Sequence, residues 1–208
     1  MNRAELKQKA RYSLISNFGE TLKVLLLYLV IAFVSSFTIS FAIKFVDSFS
    51  KLSGEVVALI AYVAITAVIG LIYFGFNSFF LKVARDEEVT YKELFSKPKM
   101  VWSYISISLL IGLFTSLWTF LLIIPGIIAS INYSIAYFVK LDNPELGAMD
   151  VLRKSKEIMD GHKWDFFVLM LSFLVWYIIG LFTFGLLYLW LIPYMQITFV
   201  NFYDEIKD

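Results

Sequence analysis

The sequence contains no cysteine, which excludes disulfides and thiolate metal sites within the chain. It has a single histidine, His162, so a histidine-rich metal or proton site cannot be assembled from one chain. The formal net charge is only +1, and overall charge gives no reason to expect a nucleic-acid partner. No phosphate-cradling glycine loop, nucleophile elbow or zinc-ligand spacing is present. His162, close to Asp160 and Asp165 at the end of a surface helix, reads as a solvated loop residue rather than a proton-transfer group. The run Arg85-Asp86-Glu87-Glu88 reads as a solvated turn. The expectation is therefore a protein with no catalytic residues, no cofactor and no metal. A cleavable signal peptide is not expected either, because the first apolar segment is longer than a signal core and lacks a small-residue cleavage site.

What the chain has in excess is apolar surface. Of its 208 residues 60% are hydrophobic, and the mean hydropathy is +0.76. Soluble domains are about 45–50% apolar by a similar count. With 21 Phe, 12 Tyr and 5 Trp in addition, no soluble core of this size could hide such a surface. The bilayer is the expected solvent.

A spanning helix needs about 20 apolar residues at 1.5 Å each. Two spans are plain, at about residues 22–45 and 56–81. Two longer apolar tracts, residues 101–141 and 166–203, would each be about twice the hydrocarbon thickness as a single helix, so each must fold back. The first is expected to turn at Pro125-Gly126, where Pro removes a helix donor and Gly readily takes positive φ. The second is expected to turn near Thr183-Phe184-Gly185, with Pro193 inside the last helix. The reading is one all-α integral membrane domain over residues 1–208: a polytopic bundle of six transmembrane helices arranged as three hairpins. The last four spans fall at about 101–124, 127–141, 166–182 and 186–203. The fourth to sixth are short, which leaves a re-entrant segment open.

Lysine and arginine test this plan independently. With the N-terminus inside, 16 of the 18 basic residues fall on the inner side, and only Lys44 and Lys51 fall outside. That is a strong positive-inside pattern with both termini inside. Polar amphipathic segments precede the hairpins. Residues 3–18 carry Leu6, Ala10, Leu14 and Phe18 at spacing four, and Arg3, Lys7 and Arg11 form a basic stripe. Residues 144–160 are expected to form a second such helix, with Asn143 as N-cap, Pro144 in the first turn, Gly161 as the stop and Arg153, Lys154 and Lys156 as a basic inner-surface patch. Both helices should lie in the inner interface, bases toward headgroups. The segment VTYKELFSKPKMVW is a shorter third, and the whole can be read as three copies of surface helix plus hairpin.

No ionisable residue lies deep in any span, which argues against a carboxylate-driven pump. Uncharged polar and aromatic residues are the candidate site instead. Asn132, Tyr133, Tyr137, Trp176, Tyr177, Tyr194 and Gln196 could line a pocket for a lipid or amphipathic ligand; the plainer reading is interhelical hydrogen bonding. Rows of small residues, Ala32-Ser36-Ser40 and Ser108-Gly112-Ser116, permit close helix contact, read first as intramolecular packing and second as a dimer interface.

Several stretches carry a resemblance: IIPGIIASINYSIAYF, DNPELGAMDVLRKSKEIMDGHKWDFF, LSFLVW and LWLIPYMQITFVNFYDEI. Within them Pro125-Gly126, Tyr133, Ser155, Met159, Gly161, Trp164, Phe173, Pro193-Tyr194 and Phe202-Tyr203 are the elements that match. The chain resembles an uncharacterised family of bacterial integral membrane proteins, related to the membrane domain of some glycerophosphodiester phosphodiesterases. The resemblance implies a multi-pass protein of the bacterial cytoplasmic membrane. It supplies no catalytic residues, and a hydrolase activity is not expected from it. Two functions follow as expectations: an accessory protein that contacts a membrane-protein partner, or a lipid- or amphipath-binding protein. Membrane lipids are expected partners in both, and a homo-oligomer is open.

Overall fold

A computed structural model describes residues 2–49, 69–70 and 72–207. Among them every regular element is helical: α1 (Arg3–Ser16), α2 (Phe18–Phe49), α3 (Ile72–Ala84), α4 (Val101–Leu121), α5 (Ile123–Tyr133), α6 (Ala136–Asp142), α7 (Ala148–Ile158), α8 (Lys163–Phe182) and α9 (Tyr188–Ile206). Two 3₁₀ turns, Tyr91–Phe95 and Pro98–Met100, connect α3 to α4. Four stretches are long and apolar enough to cross a bilayer: Phe18–Ser35, Tyr91–Leu121, Ile123–Asp142 and Lys163–Phe182. Most of the second expected span, with Lys51 and the first hairpin's turn, lies outside the described residues.

The chain reverses after α4 at Leu122, three residues before the expected Pro125-Gly126 turn. Leu122 alone is extended, at φ −159° and ψ 143°. Pro125 and Gly126 sit in the first turn of α5, where a missing N–H costs nothing because that donor has no intrahelical partner. Gly126 has a packing role: a Cβ there would overlap Thr119 of α4, backbone included. From that contact α5 and α6 run back along α4. The Tyr133 ring meets Phe114, and the Tyr137 hydroxyl meets Ser108 Oγ at 2.8 Å. The expected fourth span, 127–141, is broken between α5 and α6 at Ser134-Ile135.

The last tract turns where expected. Phe184 and Gly185 take positive φ, 51° and 85°. α9 returns along α8 through Tyr188 against Gly180 and Tyr177, Tyr194 against Phe173, and Phe202 against Phe166. Pro193 lies inside α9.

The surface segments depart from expectation in ways that have physical causes. α7 begins at Ala148 behind Gly147, not at Pro144. The Lys140 ammonium binds the carbonyls of Pro144 and Leu146 at 2.8 and 2.7 Å, which holds residues 143–147 as a turn. Asn143 therefore closes α6, its amide donating to the Val139 carbonyl. Gly161, at φ +81°, ends the surface segment as expected. α1 does not lay its apolar stripe in lipid: Leu6, Ala10 and Leu14 are buried, and the Asn201 amide of α9 donates to the Leu6 carbonyl at 3.4 Å. Of its basic stripe, Arg3 pairs with Asp165 and the Lys7 ammonium lies 4.2 Å over the Phe173 ring. The VTYKELF segment is a strap rather than a helix; Leu94 is fully buried, and Glu93 accepts from Ser78, Lys82 and Ser96.

Packing is graded along the bundle. Leu14, Leu25, Phe79, Phe80, Ile135 and Phe202 are buried at the end that carries the polar loops. At the other end Phe37 and Phe41 of α2, the Phe120–Ile124 tip and the Phe182–Leu186 turn are exposed apolar residues, with Phe184 at 100%. An aqueous end would favour the reverse distribution, so this gradient fits a bundle whose exposed end faces lipid.

Candidate functional site

Three helices end at one ionic junction. α3, α6 and α9 converge by their C-termini, each carrying the negative end of a helix dipole. Asp142 is the last residue of α6 and Asp204 lies in the last turn of α9, so two carboxylates add to three unfavourable dipole ends. Arg85, directly after α3, offsets them. Its guanidinium donates to both Asp142 oxygens at 2.9 and 2.7 Å, and to both Asp204 oxygens at 3.1 and 2.7 Å. Lys207 adds bonds to Asp204 at 2.8 Å and Asp142 at 3.3 Å, and the Tyr203 hydroxyl donates to Asp142 at 3.1 Å. Burial alone would raise both carboxyls, but the Arg85 hydrogen bonds and the charges of Arg85 and Lys207 hold them below the usual range. The Arg85 guanidinium is pushed up by Asp142 and then Asp204. Arg85 is therefore no solvated turn residue. Its partners lie 57 and 119 residues away, so no local pattern in the sequence could reveal it.

An open groove of about 960 Å³ runs along α4, facing α5 and α6. Ser108, Thr115, Ser116, Thr119, Ser130 and Ser134 line it with hydroxyls, and among the described residues no charged side chain contributes. At one end Tyr73, Tyr104 and Tyr137 cluster, with ring centroids 4.8–5.8 Å apart. The Ser108-Gly112-Ser116 row faces this groove. Within the row Ser108 is hydrogen-bonded to Tyr137 of α6, as intramolecular packing expects, whereas a Cβ on Gly112 would meet nothing within 4 Å among the described residues. The Ala32-Ser36-Ser40 row lies on α2, and the Ser36 side chain is outside the described residues.

The seven candidate pocket residues do not form one site. Tyr133 and Tyr137 line the groove. Asn132, with Tyr133 again, borders a separate cavity of about 190 Å³ that also holds Trp118, Pro125 and Lys156. Trp176 and Tyr177 are exposed on α8; the Tyr177 carbonyl accepts from the Tyr188 hydroxyl at 2.8 Å. Tyr194 packs on Trp190 and Phe173, and Gln196 is half-buried on α9. The basic patch is also divided. Arg153 pairs with Asp150, Lys154 donates to Asn143 Oδ1 at 2.9 Å, and Lys156 turns to the cavity.

That last placement bears on topology. In an upright six-span plan, Pro125 and Lys156 sit at opposite surfaces, about 30 Å apart. Both stand in the wall of one small cavity, and the Ser155 hydroxyl binds the Asn132 carbonyl at 2.7 Å. The positions of Pro125 and Lys156 therefore do not fit an upright α4–α5 pair in that plan.

The chain matches the model of a family described as proteins of unknown function, DUF975, over residues 1–131 and 120–208. No curated protein and no solved structure matches it. The match supports the uncharacterised family of the resemblance and carries no link to glycerophosphodiester phosphodiesterases. Together the two matched segments span the whole sequence, and the chain belongs to the DUF975 family of proteins of unknown function.

Proposed function

We propose that this chain is a non-enzymatic, multi-pass protein of the bacterial cytoplasmic membrane that acts as an accessory protein, docking a transmembrane helix of a partner on α4. Six membrane segments form three helical pairs with both termini cytosolic, and the middle pair is inclined. The observation that carries this reading is the open stretch at Gly112 and Ser116, beyond the Ser108–Tyr137 hydrogen bond, along a groove of about 960 Å³. Small residues let helix backbones approach closely, and hydroxyls supply interhelical hydrogen bonds where no water competes. The ionic junction supports the same role, because it ties three return helices into one rigid cytosolic end.

A second reading, binding of an uncharged amphipathic lipid, is favoured by the Thr115 hydroxyl, which lines the groove with its oxygen buried and unpartnered. Gly112→Leu separates the proposal from a structural role. The added side chain enters open space, so melting in detergent is expected to stay unchanged. A protein that co-purifies from native membranes is expected to be lost, as read by mass spectrometry of proteins and lipids together. Loss of a lipid class with no protein change would favour the second reading, and no change in either would end both.

Topology has its own test, made simple by the absence of native cysteine. Impermeant thiol labelling of intact cells is expected to mark Lys51→Cys and to leave Lys97→Cys and Lys156→Cys unmarked until the membrane is opened. External labelling at position 156 would overturn the arrangement.

A further inference from the structure

The 190 Å³ cavity between α4, α5 and the end of α7 holds two polar groups in need of a ligand. Asn132 is only 8% exposed, and its Oδ1 is buried with no hydrogen-bond partner. A buried acceptor left unpaired is costly, and native proteins rarely keep one without a reason. Lining the same cavity is Lys156, whose ammonium makes no hydrogen bond or close ion pair among the described residues, although its charge acts on Asp160 four residues on. Its neighbours differ: Arg153, Lys154 and Lys163 each hold a partner, namely Asp150, Asn143 and Asp160. The lysine stem is long enough to bring the charge to the cavity while α7 stays in place. α7 cannot drift away, because Ser155 is tied to the Asn132 backbone.

Of the remaining walls Trp118, Pro125, Ile128 and Ala129 are apolar and Tyr133 adds a phenol; Trp118 and Ile128 are exposed on the surface. At about 30 Å³ per water, the cavity has room for about six waters, which suits a phosphate with a short polyol and is far too small for a helix. We propose that this cavity binds the headgroup of an anionic phospholipid that carries free hydroxyls, such as phosphatidylglycerol. The phosphate accepts from Lys156 Nζ, a headgroup hydroxyl donates to Asn132 Oδ1, and the ester end lies against Trp118 and Ile128. A zwitterionic choline headgroup has no hydroxyl for Asn132 and places a second cation beside Lys156.

Native mass spectrometry of the full chain from nanodiscs tests this, using phosphatidylglycerol against phosphatidylcholine of the same acyl chains. Phosphatidylglycerol is expected to be retained preferentially. Lys156→Gln is expected to weaken retention about tenfold, the loss of one charge-assisted hydrogen bond, and Lys156→Arg to restore most of it. Because Lys156 is exposed, its variants are expected to fold normally; Asn132→Leu, a buried change, is read only alongside its melting temperature. Equal retention of both lipids, or retention unchanged in Lys156→Gln, overturns the proposal. Competition by millimolar inorganic phosphate as strong as by added phosphatidylglycerol would make this a free-phosphate site and overturn the lipid assignment. Gly112→Leu leaves this cavity untouched, so the lipid site and the helix-docking groove stand or fall separately.

Discussion

Arg85→Ala is expected to destabilise the detergent-purified protein by roughly 2–3 kcal/mol. Removing one partner of a buried ion pair costs about 3–5 kcal/mol, and the partial solvation of this junction reduces that figure. For a chain of this size the melting temperature should fall by roughly 5–10 °C. The loss is large because the change leaves Asp142 and Asp204 facing each other and three helix C-termini, with only Lys207 to neutralise them. Arg85→Lys should recover only part of it, because an ammonium cannot engage two carboxylates through paired hydrogen bonds. A gain from adding Asp204→Asn to Arg85→Ala would show that the repulsion, and not lost packing, dominates. An unchanged melting temperature in Arg85→Ala would remove the junction from any account of this fold.

The junction also predicts a pH dependence. Asp142 and Asp204 both have folded-state pKa values below their unfolded ones. Groups shifted in that direction contribute stability above the unfolded carboxylate value, about 3.9, and lose it as pH falls through the folded value. Lys207 is shifted the other way: burial lowers its pKa, and the Asp204 hydrogen bond more than offsets this. Its contribution is present below about pH 10.4 and fades above it. Stability should therefore be flat from about pH 5 to 9 and fall on the acid side, and Arg85→Ala should flatten the acid limb.

Gly75→Ala is expected to be the other severe substitution. A Cβ at position 75 would overlap the backbone carbonyl of Leu94, and backbone, unlike a side-chain tip, cannot turn aside. The strap must lift from α3. That withdraws the fully buried Leu94 and strains the bonds of Glu93 to Ser78 and Lys82, at 2.7 and 3.0 Å. Overpacking costs about 1–3 kcal/mol, and part of the Leu94 burial is lost in addition. The expected readout is a melting temperature several degrees lower, with faster hydrogen exchange confined to residues 90–100. Gly112→Ala is the control, since it enters open space. Equal stability of the two variants would show that the strap does not press on α3.

The sequence was informative wherever a signal is local or one-dimensional. The apolar tracts marked helices, and their excess length required reversals. Positive φ at Phe184-Gly185 and at Gly161 falls where the turn residues stand. Pro125-Gly126 marked the neighbourhood of a reversal but not its residue. Pro is equally at home in a first helical turn, and Gly is needed as much for close packing on Thr119 as for a bend. The candidate site was half legible: Asn132 and Lys156 were each singled out, for different reasons, but nothing in their spacing says that they meet.

What the sequence determined by itself is the element type and the presence of helices long and apolar enough to cross a bilayer, because hydropathy and helix length depend only on a residue and its near neighbours. What only the tertiary structure decided is which polar groups are spent and which are left over. Arg85 turned from a solvated charge into the tie between three helices, the small-residue row on α4 was divided between a hydrogen bond to Tyr137 and an open groove, and Lys156 came to line one cavity with a buried amide. Each outcome depends on contacts between residues far apart in sequence, where the geometry of folding and not local propensity chooses the partner.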